Sequence, residues 1–167
     1  MPAISARRID MRDRRLALAA LVLASATALS GLPPARAAEA LPGPIPAEVV
    51  RVIDGDTLAV RARIWLGQDI AVHVRLAGID APEMKGRCAQ ERALAVAARD
   101  ALSLRAAVGG TVRLVDVRND KYGGRVIARV LDSSGADLGA AQITAGLARA
   151  YHGHARQPWC GAREAAR

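Results

Sequence analysis

The sequence predicts an α+β domain, mainly β, in which five short strands close into a barrel and helices cap it. Three observations predict it: two period-two segments joined by a short turn, a long Gly- and Pro-free stretch of helix formers, and two further short strands before a second helix. Strands with one apolar face bury it together when the sheet curls on itself and helices cover it.

The elements follow in order. Leu58, Val60, Ala62 and Ile64 alternate with Thr57, Arg61 and Arg63. After the turn-like Gly67-Gln68-Asp69, Ile70, Val72, Val74 and Leu76 alternate with His73 and Arg75. The two segments make a β-hairpin with one buried face. From about Ala89 to Ala107, Ala, Leu, Arg and Glu dominate, all good helix formers. Leu94, Ala97, Ala98, Ala101, Leu102 and Arg105 fall at three- and four-residue steps, so this is an amphipathic helix, ended by Gly109-Gly110. Strands follow at about Thr111 to Val117 and Val126 to Leu131, then a helix from Asp137 to Ala145. The order strand, strand, strand, helix, strand, strand, helix fits a five-stranded OB-type barrel. Such barrels often bind single-stranded nucleic acid, but a fold does not decide function.

The first 37 of the 167 residues stand apart. Arg7, Arg8, Arg12, Arg14 and Arg15 precede an uncharged run from Leu16 to Leu29, Pro33-Pro34 break any helix, and Ala35-Arg36-Ala37 is a small-x-small cleavage pattern. This is the layout of a secretory signal peptide, which reads equally well from Met11. A membrane anchor would need about 20 strongly apolar residues, and this stretch is diluted by Ala, Ser and Thr. The expected organisation is a cleaved signal at 1–37, a leader at 38–47 and one domain at 48–167. In the leader, Leu41 to Pro46 is expected to hold neither strand nor helix. Six of the 24 basic and two of the 16 acidic residues leave with the signal, so the remainder carries a net charge of +4. That moderate basicity suits approach to a polyanion. Cys88 and Cys160 are the only cysteines; in an exported chain such a pair reads first as a disulfide, with two inert thiols as the alternative.

Three clusters carry chemistry: Val52-Ile53-Asp54-Gly55-Asp56-Thr57, Val74-Arg75-Leu76-Ala77-Gly78-Ile79-Asp80-Ala81-Pro82-Glu83, and Asp120-Lys121-Tyr122-Gly123-Gly124-Arg125. Asp56 opens one strand of the hairpin and Asp80 follows the return of the other. Hard carboxylate oxygens suit a hard cation such as Ca²⁺. Taken alone, Asp-Gly-Asp is equally a turn with Asx hydrogen bonds. Arg75 lies on a strand whose alternate residues are apolar, so its side chain leaves the barrel towards Asp80. A guanidinium there can hold two phosphate oxygens at once. Glu83 follows Pro82, which stiffens its loop. His152 and His154 read as solvated surface residues, and Trp65 and Trp159 as packing residues. No Ser-His-Asp triad, phosphate-binding loop or zinc motif is present in the sequence.

Together the clusters resemble the signature of the staphylococcal nuclease (thermonuclease) family, over about Val49 to Tyr151. The third cluster departs by one inserted glycine. The resemblance implies Ca²⁺ on Asp56, Asp80 and the backbone carbonyl of Ala81, where Ala stands in place of the family's common Thr. It implies Glu83 as the general base on water, and Arg75 with Arg125 as a clamp on the phosphate. Lys121 and Tyr122 would contact the substrate's phosphate and sugar, and Tyr151 would stack on a base, a contact that tolerates any sequence. Counting forward from Asp120 puts the second clamp arginine on Gly124. Counting back from the strand puts it on Arg125, which is preferred because a one-residue slip would turn the strand's apolar face outward. The implied function is an exported, calcium-dependent nuclease acting on DNA and RNA without sequence preference. It would be periplasmic or secreted, monomeric, and free of the membrane once the signal is cleaved. The rivals are a non-catalytic binding module and a structural envelope protein, neither of which needs Asp56, Asp80, Glu83 and Arg75 together.

Overall fold

The computed structural model describes residues 39–161, so the segment read as a signal lies outside the described residues. Strands β2 (Ile45–Asp54), β3 (Thr57–Trp65), β4 (Gln68–Leu76), β6 (Thr111–Asn119) and β7 (Arg125–Leu131) form a closed mixed barrel. β2 pairs with β3, β3 with β4, β4 with β7, β7 with β6, and β6 returns to β2; the β4–β7 pairing alone is parallel. The expected fold class is the observed one.

Register sets the core. Leu58 faces Val74 and Val60 faces Val72 across β3 and β4, so the alternating apolar positions meet inside. Leu58, Val60, Val74 and Leu76 are buried with Val49, Val112, Leu114 and Val130 from the other strands. The hairpin is longer than the barrel it serves. Ile64, Trp65, Leu66 and Ile70 lie beyond the core and are exposed, Trp65 by 69%, so the expectation that Trp65 packs is corrected.

The leader also differs from expectation. Ala40–Leu41 forms β1 against Arg118 and Val117, and Ile45 and Pro46 open β2 opposite Leu114 and Arg113. Proline is tolerated because Pro46 precedes Ala47, where pairing with β3 begins, so its missing N–H forfeits no bond on that side.

Helix α1 (Ala89–Arg105) buries Glu91, Ala95, Ala98 and Leu102. The buried stripe is therefore turned slightly from the expected one: Ala95 faces in, while Ala97 and Arg105 are exposed. Helix α2 (Leu138–Thr144) is capped by Asp137, whose carboxylate accepts from the Ala140 amide. Between the helices lies the turn at Gly55. A Cβ there would come within 2.6 Å of the Ala98 Cβ and 2.9 Å of the Ala81 Cβ, so only glycine lets the turn lie this close to α1. A two-stranded ladder of β5 (Ile79–Asp80) and β8 (Arg149–Ala150) ties Asp80 to the start of the C-terminal tail.

Candidate active site

The hairpin and the β4–β5 connection bring the acidic and basic residues together. Thr57 lies opposite Arg75 in the β3–β4 ladder, so Asp56 sits beside the end of β4. The Asp56 carboxylate is buried. Its Oδ1 accepts from Thr57 Oγ1 (2.8 Å) and Arg75 Nη1 (2.7 Å), and its Oδ2 from the Ala81 amide (3.3 Å). Burial pushes the Asp56 carboxyl above its ordinary range; Arg75 offsets this only in part, and Asp54 adds to it. Asp54 Oδ1 accepts from the Asp56 amide at 3.0 Å, so the turn is an Asx turn as well as a carrier of Asp56.

Arg75 leaves the barrel on the expected side. Its second nitrogen reaches the Ile79 carbonyl (3.3 Å) and lies 3.8 Å from Asp80 Oδ1. That Asp80 oxygen is buried and accepts no hydrogen bond among the described residues, although Arg156 Nε also stands 3.1 Å away. A buried carboxylate oxygen that accepts no hydrogen bond, next to a second buried carboxylate, offers the hard oxygen ligands that a divalent cation takes. Another trio of potential ligands, Cys88, Glu91 and Cys160, has its two sulfurs joined in a disulfide with Cα atoms 6.0 Å apart, so it is no metal centre.

A groove of about 710 Å³ lies beside this pair; neither aspartate lines it, but Arg75, which pairs with both, does. Arg75, Glu83, Lys121, Tyr122, Arg125 and Tyr151 all line it, with Arg156. Arg125 is the first residue of β7, and Gly124 before it takes φ +75°. The extra glycine is absorbed in the turn and the strand keeps its register, with Ala128 and Val130 buried. Arg125 Nε pairs with Asp120 at 2.5 Å, and its guanidinium lies 4.8 Å from the centre of the Tyr122 ring. Lys121 Nζ is 5.0 Å from the same ring. His152 and His154 are exposed.

Three residues of the site were not singled out from the sequence. Glu91 is buried in the first turn of α1, and its carboxylate accepts from the amides of Glu83 (3.4 Å) and Arg87 (2.9 Å). It thereby fixes the loop that carries Glu83. Its signal was the spacing Cys88-x-x-Glu91, that of a capping box, with Cys88 Sγ accepting from the Glu91 amide. Gln142, also buried, donates to the carbonyls of Gly55 (2.9 Å) and Ala98 (2.8 Å) and so joins both helices to the turn before Asp56. Arg156 pairs with Asp80 and, through Nη1, with Glu83 Oε1 at 2.5 Å. Burial lowers its pKa, but Glu83, Asp80 and Asp56 outweigh that and raise it. Nothing in the local pattern of the irregular tail marked Arg156.

A closed mixed barrel with two helices, carrying a carboxylate pair beside an arginine-lined groove, defines a nuclease-type domain. Residues 73–165, more than half of the chain, match the family described as staphylococcal nuclease homologue, and the protein belongs to that family. No curated protein matches the chain. The matched span holds Arg75, Asp80, Glu83, Lys121, Tyr122, Arg125 and Tyr151; Asp56 precedes it and is joined to it by the β3–β4 ladder.

Proposed function

We propose that the protein is an exported, calcium-dependent nuclease that hydrolyses phosphodiester bonds in DNA and RNA. One observation carries the reading: Arg75, Arg125, Glu83, Lys121, Tyr122 and Tyr151 line a single groove, and Arg75 joins it to the buried Asp56–Asp80 pair. Asp56, Asp80 and the Ala81 carbonyl would hold a divalent cation, which would supply positive charge to a phosphate oxygen when bound. Calcium suits this all-oxygen set because it accepts irregular geometry, whereas magnesium demands a near-octahedral one.

The chain's own residues do the rest. Glu83 takes a proton from water as it attacks phosphorus, a role worth about 10²–10⁴ in rate. The bond from phosphorus to the 5′ oxygen breaks, and that oxygen takes a proton from solvent to leave as a hydroxyl. Arg75 and Arg125 neutralise the charge that gathers on the phosphoryl oxygens. Lys121 holds a neighbouring phosphate, and Tyr122 and Tyr151 stack on bases or sugars, which gives contact without sequence readout. Export rests on the basic, apolar and small-residue layout of residues 1–37, and the Cys88–Cys160 disulfide accords with an oxidising compartment. Among the described residues no helix is long and apolar enough to cross a membrane. After cleavage the domain acts as a monomer, periplasmic or secreted. Digestion of DNA and RNA by the purified protein, followed by end-group analysis, tests the reading. Products with 3′-phosphate and 5′-hydroxyl ends are expected; 5′-phosphate ends, or no cleavage, contradict it.

A further inference from the structure

The C-terminal tail carries a cation into the site and is fastened on both sides of it. β8 pairs with Asp80 and Ile79, and the Tyr151 amide donates to the Gly78 carbonyl at 2.8 Å. Beyond Arg156, Cys160 is bonded to Cys88, the N-cap of α1. Arg149 braces the segment between, with its guanidinium 3.8 Å from the centre of the Trp159 ring and Nη1 3.2 Å from the Pro158 carbonyl. Arg156 is thus presented by an anchored strap rather than by a loose end.

We propose that Arg156 is a positioning residue for Glu83. The inference rests on the reading of Glu83 as the general base. The Glu83 side chain is half exposed, and among the described residues Arg156 is the one group that hydrogen-bonds its carboxylate, at 2.5 Å. A solvated glutamate on a loop samples several rotamers, and few of them aim an oxygen at the attacking water. The guanidinium hydrogen-bonds Glu83 through Nη1 and stands 3.1 Å from Asp80 Oδ1 through Nε without a hydrogen bond to it, so it lies between the two carboxylates. It occupies Oε1, and among the described residues no group hydrogen-bonds Oε2. The Arg156–Glu83 pair is exposed and contributes little to stability, so its consequence is orientation.

The test compares R156A, R156K and E83Q in the full chain, with kcat and KM on DNA in calcium, thermal melting, and calcium affinity by calorimetry. R156A should lower kcat by about 100-fold while KM stays within about threefold, as expected for a misaimed catalytic group. Melting should fall only modestly, because Asp80 loses Arg156 but keeps Arg75 as a neighbour. Millimolar guanidinium ion should restore part of the R156A rate, and R156K, which has charge but no fork, should recover little. The proposal is overturned if kcat is normal, if KM rises while kcat holds, which would make Arg156 a substrate contact, or if calcium affinity and turnover both rise, which would make it a latch over the cation site. Normal R156A beside an inactive E83Q overturns this proposal alone. An active E83Q overturns the reading of Glu83, and this proposal falls with it.

Discussion

At the scale of single residues, the two proposed clamp arginines are held differently. Arg75 is largely buried and fixed by Asp56 and the Ile79 carbonyl, whereas Arg125 is more open and leans on Asp120 and Tyr122. Arg125 therefore has the freer path to a phosphate. Arg125→Ala should cut turnover by about 10²–10³, the loss typical of one donor to transition-state charge. Arg129, paired with Asp137 at 3.1 Å across α2's N-cap, is a matched control, and Arg129→Ala should leave turnover near normal. Steady-state kinetics of the two variants decide between them. Arg75, Asp56, Asp80 and Glu83 were legible in the sequence because local spacing on a hairpin and its return brings them together. Arg156 was not, because it meets Glu83 across 73 residues and only the disulfide and the β5–β8 ladder bring the tail back.

At the scale of elements, period and composition located four of the five barrel strands, the long helix and the short one; β2 was counted without being placed, and what depends on neighbours was missed. Pro-rich residues 41–46 read as a leader by propensity; β6 offers an edge there, and pairing overrides the propensity of Leu41 and Ile45. The buried stripe of α1 runs through alanines, and with so many alanines on every side composition does not fix its phase. Ala98 is small, and the Gly55 turn lies directly against it. Gly55→Ala should destabilise the fold by about 1–3 kcal/mol through overpacking against alanine side chains that have no rotamer to yield. Because Asp56 is the next residue, turnover should fall as well. Denaturant unfolding with stability unchanged would contradict this account of the close approach.

At the scale of the whole molecule, the disulfide joins the start of α1 to the end of the tail and spans most of the described domain. The cysteine pair was legible as a disulfide from composition; its place beside Glu91 and the strap was not. The chain-entropy model gives such a closure about 4 kcal/mol, since the two cysteines are 72 residues apart. Reduction should lower the free energy of unfolding by roughly that amount. Equal stability with and without reductant, on protein whose bond was verified by mass spectrometry, would contradict it.

The central claim is that the Asp56–Asp80 pair and the groove beside it form a calcium-dependent nuclease. Hydrolysis of DNA by the purified protein, measured in calcium, in magnesium alone and in excess chelator, tests it most directly. Rapid cleavage in calcium, at most weak cleavage in magnesium and none in chelator are expected from a flexible oxygen site. Equal turnover in magnesium, or activity that survives the chelator, would contradict it.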